Sequence, residues 1–254
     1  MRIVVVGGTG LIGKKLVTKL HDLGHEAVPA SPSSGVNAVT GAGLAEVLKN
    51  TDVVVDVANS PSFEDGPVLE FFERSTRNLL AAEAVAGVSH HVALSIVGAD
   101  RVPDSGYMRA KVAQEKLIQS AGVPHTILRA TQFFEFIGGI TAQFPADGNM
   151  IRVSPALIQP ILSDDVVAAL VDVALASPVN GIVDVAGPQP FRFEEIIRQF
   201  LSTTQDTRQV VADLDARYFG AKLNDQALVP RGKSKLGKTR FEEWLGCSTL
   251  AACK

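Results

Sequence analysis

The sequence is poor in cysteine, in membrane-length apolar runs and in excess positive charge. Its two cysteines, Cys247 and Cys253, stand near the C-terminal end. They are too few for a disulfide framework and lack the partner ligands of a zinc site, so a reducing, cytoplasmic setting is expected. No apolar run approaches the ~20 residues that cross a bilayer. The segment from Met1 into Ile3–Val6 has no extended apolar core or cleavage site of a secretory leader, so a leader is not expected. A formal charge of -3 gives no general reason to expect nucleic acid or an anionic membrane as partner, since those need concentrated positive charge. The basic run from Arg231 to Arg240 is short and reads as a solvated loop. His90 and His91 have no Cys or paired carboxylate at ligand spacing, so no metal site is expected. Asp164 and Asp165 fall in the first turn of a helix, where they complement its dipole.

What is present is an alternation of short β-branched runs with segments of helical period, over 254 residues that are 46% hydrophobic. That pattern builds parallel sheets from βαβ units. Strands are predicted at Ile3–Val6, Ala27–Ala30, Asp52–Val57, His91–Ile96, His125–Arg129 and Val183–Ala186, with a weaker one at Val36–Val39. Helices are predicted at Gly10–Leu23, Leu44–Lys49, Pro67–Ala86, Tyr107–Ala121, Phe193–Leu201 and, capped by Ser163, up to Ala176. The fold class that follows is α/β: a Rossmann-type doubly wound parallel sheet with a small C-terminal substrate-capping lobe. One domain spans 1–254. Residues 1–130 form the cofactor core, and 131–162 with 187–254 supply most of the lobe.

Three constellations carry chemistry. Gly7-Gly8-Thr9-Gly10-Leu11-Ile12-Gly13 follows a strand and opens a helix. A side chain there would block backbone approach to a pyrophosphate, and the helix start offers free N–H groups and a positive dipole end; Gly13 allows close helix-to-strand packing. The second is an absence. Where an NAD enzyme offers Asp or Glu to the adenine ribose, this chain has Ser31-Pro32-Ser33-Ser34-Gly35, so nothing repels a 2′-phosphate and Ser31, Ser33 and Ser34 supply hydroxyls. NADP(H) is therefore expected over NAD(H). The third is Ser95 at a strand end, followed by Tyr107 and Lys111 one helical turn apart. An ammonium beside a phenol lowers the phenol pKa toward a range useful for proton transfer.

Together these motifs resemble the atypical short-chain dehydrogenase/reductase superfamily, in its NmrA-like branch. The resemblance rests on Gly7–Gly13, Val53–Ser60 (VVVDVANS), Leu94–Val97, Gly106–Lys111 and Leu128–Phe134 (LRATQFF), and spans roughly residues 1–200. It implies that Thr9, Gly10, Leu11, Ile12, Ala58, Asn59 and Ser60 line the cofactor. Leu94 and Ser95 would join them, and the stretch Ala130–Phe133, with Ala130, Thr131 and Phe133 as cofactor residues, would run beside the nicotinamide. Tyr107 would be the general acid/base, Lys111 would bind the nicotinamide ribose and tune it, and Ser95 would hold the substrate oxygen. Many members carry Arg in the loop after the second strand, where this chain has serines. Phe133, Phe134, Phe136 and Ile137 either wall an apolar pocket or belong to the core; Pro160, Tyr218 and Phe219 are the other candidate pocket residues. The function expected is hydride transfer between NADP(H) and a small carbonyl, quinone or conjugated substrate, by a monomer or small homo-oligomer. The rival is a non-catalytic NADP(H)-sensing regulator of the NmrA-like type, and fold alone does not separate the two.

Overall fold

The computed structural model describes residues 1–144 and 146–252. Cys253 lies outside the described residues. In chain order the core elements are β1 (Arg2–Val6), α1 (Leu11–Asp22), β2 (Glu26–Ala30), α2 (Leu44–Val47), β3 (Val53–Asp56), α3 (Asp65–Ala86), β4 (His90–Ile96), α4 (Gly106–Ser120) and β5 (His125–Ala130). They continue as α5 (Ile137–Gln143), β6 (Ala146–Asp147), β7 (Met150–Val153), β8 (Leu157–Ile158), α6 (Ser163–Leu175) and β9 (Gly181–Ala186). The last are β10 (Phe191–Arg192), α7 (Phe193–Thr203), β11 (Gln209–Ala212), β12 (Lys235–Leu236) and α8 (Phe241–Ala252).

Seven strands form one parallel sheet in the order β12-β9-β5-β4-β3-β1-β2. The order reverses direction between β1 and β3, and ligands in open α/β sheets bind outside the strand ends at that switch. All-parallel strands need cover on both faces, which is why β1 and β3 are continuous runs of buried Val and Ile. On one face α1 and α6 pack over Ile3, Val5, Val55, Val92 and Leu128. On the other, α3 and α4 lie against each other.

The segment after β5 packs Phe134, Ile137, Ile151, Phe193, Ile197 and Tyr218 into a core that it shares with Ala99, Val102 and Met108. Its small sheet joins β7 to β11 in parallel and to β6 antiparallel. The chain then returns to the main sheet, where β12 adds to β9.

Two local expectations are corrected. Val36–Val39 is not a strand. The Asn37 side-chain oxygen accepts from the amides of Val39 (2.9 Å) and Thr40 (3.2 Å), turning the chain back so that Asn37 N–H meets the Ala42 carbonyl at 2.8 Å. Ser163 does not cap its helix. Leu162 holds the cap position without a side-chain bond, and the Ser163 hydroxyl donates to Glu135 instead. The two histidines are interior groups. His90 pairs with Thr126 at 3.0 Å and His91 with Glu83 at 2.9 Å.

Candidate active site

The turn after β1 is shaped by contacts that exclude a side chain. Gly7 has φ of +81°, and a Cβ on it would meet the Ala58 backbone at 2.8 Å. A Cβ on Gly13 would lie 2.2 Å from the Gly7 carbonyl, so this glycine seats the first turn of α1 on the strand. The cap residue Gly10 has no side chain, and the first turn of α1 contains no acid. Its leading amides therefore have no carboxylate of their own chain to satisfy them and remain available to an anion. The residues fit a dinucleotide pyrophosphate.

This turn forms one end of a cleft of about 1180 Å³. Gly7, Thr9, Gly10, Leu11 and Ile12 line it, as do Ser31, Ala58, Asn59, Leu94, Ser95, Tyr107, Lys111, Ala130, Thr131 and Phe133. Among the described residues no Asp or Glu lines it, and Lys111 is the one lining cation. Ser33, Ser34 and Ser60 do not line it, and neither does Gly13, in keeping with its packing position. The serine turn bonds largely to itself: Ser31 Oγ and Ser33 Oγ are 2.8 Å apart, and the Ser34 hydroxyl donates to the Ser31 carbonyl at 2.9 Å. Of the aromatic candidates, Phe133 and Phe136 stack at 5.4 Å on the wall, whereas Phe134 and Ile137 are core. Tyr218 and Phe219 line the cleft and Pro160 does not.

Tyr107 and Lys111 both reach the cleft from α4, but their heads diverge. The Tyr107 hydroxyl donates to the Asn59 side-chain oxygen at 2.9 Å, and its ring lies 5.3 Å from Phe63. Burial pushes its pKa up to about 12, and the bond to Asn59 offsets only part of that. The sequence expectation of a lowered phenol pKa is thus corrected, because Lys111 is engaged elsewhere. Its ammonium donates to the Leu94 carbonyl at 2.9 Å and to Gln114, and lies 4.4 Å from the centre of the Phe72 ring. Gln114 in turn donates to Asp56 at 3.0 Å. Burial pulls Lys111 down to about 8, against the opposing pull of Asp56 and Glu115.

Ser95 differs most from expectation. Alternation along β4 puts Leu94 with the α1/α6 core, and Ala93 with Leu80 and Ile118 of α3 and α4. Ser95 follows Ala93, and its hydroxyl donates to Glu115 on α4 at 2.6 Å. Arg129 clamps the same carboxylate with bonds of 2.8 and 2.6 Å. The hydroxyl proton is committed to this ion pair, although Ser95 lines the same cleft as Tyr107.

Sequence reasoning missed Val36, Asn37, Ala38 and Val39, which line the cleft because the Asn37 turn folds them over it. It also missed Phe63. Gln132 lines the cleft within the Ala130–Phe133 stretch that the resemblance places beside the nicotinamide, although sequence reasoning gave it no role of its own.

Residues 7–142 match the family described as NAD(P)H-binding. The chain belongs to that family. Photosystem II assembly factor Ycf39 of Synechocystis sp. is 28% identical over 153 residues, covering 55% of this chain and 47% of that protein. A (4-alkanoyl-5-oxo-2,5-dihydrofuran-3-yl)methyl phosphate reductase of Streptomyces griseus is 28% identical over 144 residues, 52% of this chain and 48% of that one. The chain spans about half the length of these curated relatives. A short-chain dehydrogenase/reductase superfamily protein from Agrobacterium tumefaciens, solved with bound NAD, superposes with a TM-score of 0.75 at 16% identity, over 100% of this chain and 97% of that one. The Rossmann-type fold and the atypical short-chain dehydrogenase/reductase resemblance drawn from the motifs agree with these findings. Among the described residues no helix is long and apolar enough to cross a membrane.

Proposed function

We propose that this protein is an NADP(H)-dependent oxidoreductase acting on a small carbonyl, quinone or conjugated substrate. The observation that carries the reading is that one cleft holds both the Gly7–Gly13 turn and the Tyr107/Lys111 pair. A bound nicotinamide would supply or accept the hydride. Tyr107, half-buried and protonated at neutral pH, gives its proton to the substrate oxygen as the carbonyl carbon is reduced. Asn59 orients the phenol, and Lys111 would bind the hydroxyls of the nicotinamide ribose. The lack of any lining carboxylate, including along Ser31 and Pro32, favours the more anionic cofactor over NAD(H). The similarity to a named reductase supports turnover. No partner beyond the small substrate is invoked, and the unit is a monomer or small homo-oligomer in the cytoplasm.

A second reading is favoured by a specific observation. Ser95 and Lys111 are both tied into the interior, and one relative is named an assembly factor, so a protein that binds NADP(H) without turning it over fits the same cleft. NADPH oxidation followed against quinones, enones and aldehydes, beside NADPH and NADH titrations, decides. Turnover with any of them supports the enzyme. Tight NADPH binding with no turnover across the panel supports the sensor, and tighter NADH binding removes the cofactor preference.

A further inference from the structure

If Ser95 does not hold a substrate oxygen, another polar group on the cleft wall has to. Gln132 follows β5 and is 8% exposed, yet neither its side-chain nitrogen nor its oxygen makes a hydrogen bond of normal geometry. Buried amides are rarely left unpaired, and one that lines a ligand cleft calls for a ligand. Its backbone is held on both sides. The Gln132 carbonyl accepts from Ile161 at 2.8 Å, and the neighbouring Thr131 amide donates to Val185 at 3.1 Å. The side chain therefore starts from a rigid strand end, as precise positioning requires.

Its surroundings point the same way. The Tyr218 phenol is near enough to interact with the amide, although no hydrogen bond of normal geometry joins them. Tyr107, Tyr218 and Gln132 thus share one neighbourhood of the cleft, and Phe133, Phe136 and Phe219 make the nearby wall aromatic.

Resting on the oxidoreductase reading, we propose that Gln132, flanked by the Tyr218 hydroxyl, is the positioning residue that donates a hydrogen bond to the substrate's carbonyl oxygen, in place of Ser95. The aromatic wall selects flat, conjugated carbonyl compounds. Gln132 takes no part in the redox balance: it holds the oxygen that receives the Tyr107 proton.

The test uses menadione and 9,10-phenanthrenequinone as probes, with binding to the full chain loaded with NADP+ measured by calorimetry, where no turnover occurs. Gln132→Leu keeps the side-chain size and removes the amide. It should bind both quinones about 10-fold more weakly, the effect of one lost hydrogen bond, with NADP+ affinity unchanged. It should also melt about 2–4 °C higher without ligand, because an unpaired buried amide is gone; a merely structural amide would give the opposite shift. Gln132→Asn, which keeps the amide, should recover part of the quinone affinity. The proposal is overturned by unchanged quinone binding in Gln132→Leu, by a lower melting temperature of that variant, by a loss in Ser95→Ala that Gln132→Leu does not share, or by a wild type that binds neither quinone. If the 10-fold loss holds while the wild type oxidises no NADPH with either quinone, the anchor stands and the oxidoreductase reading falls.

Discussion

At the scale of single residues, Tyr107 and Lys111 divide the work that their spacing suggested they share. Helical geometry puts residues four apart on one face, and that much was legible in the sequence. Where the two heads point was not, because it depends on Asn59, in the loop after β3, and Leu94, within β4, which are 48 and 17 residues away. Tyr107→Phe should reduce turnover at least ~100-fold, the usual lower bound for a lost general acid, with NADPH affinity nearly unchanged in a fluorescence titration; retained turnover would take Tyr107 out of the reaction. Lys111 predicts opposite pH trends for stability and function. It loses its proton near pH 8 when folded and near 10.5 when unfolded, so between those values the unfolded chain holds more protons and stability from this residue rises with pH. Melting curves of wild type and Lys111→Met should show the wild type gaining on the variant from pH 8 to 10. NADPH affinity should fall over the same range as the ammonium is neutralised, and a flat difference between the two proteins would reject the assignment. Ser95→Ala should cost about 1.5–3 kcal/mol in denaturant melts, since it removes a buried hydrogen bond to a charged carboxylate.

At the scale of elements, the glycine turn and α1 form a unit whose geometry tolerates no Cβ at Gly13. The Gly7 carbonyl, 2.2 Å from where that atom would stand, is backbone and cannot rotate away. Gly13→Ala should therefore lift α1 off the strand, lowering stability by about 1–3 kcal/mol and weakening NADPH binding together, as read by denaturant melts and titration. Wild-type values for both would mean that α1 is free to shift without cost. The strands and helices of the sheet were readable because buried parallel strands are apolar runs and amphipathic helices repeat at 3.6 residues. Val36–Val39 misled because a short segment with valine at both ends and only Asn37 polar looks like a weak strand. The Asn37 side chain, competing for the backbone amides of Val39 and Thr40, turned it into a wall of the cleft.

At the scale of the whole molecule, the cleft lies at the carboxyl ends of the strands, between the sheet and the lobe that supplies Phe136, Tyr218 and Phe219. Binding there ties the two parts together, so saturating NADPH should raise the melting temperature, and at 100 times its dissociation constant the gain is about 2.7 kcal/mol. NADH at the same concentration should raise it less. An equal or larger shift with NADH would reverse the cofactor preference. The sequence by itself determined the α/β class, the glycine turn and the candidates Tyr107 and Lys111, because each rests on local spacing or on residue types that act within one turn of chain. Only the tertiary structure decided that Ser95 faces Glu115, that Lys111 turns to the Leu94 carbonyl and that Gln132 stands unpaired on the cleft wall. The direction of a side chain at a strand end is set by partners distant in sequence, and those partners meet only when the sheet and its covering helices are assembled.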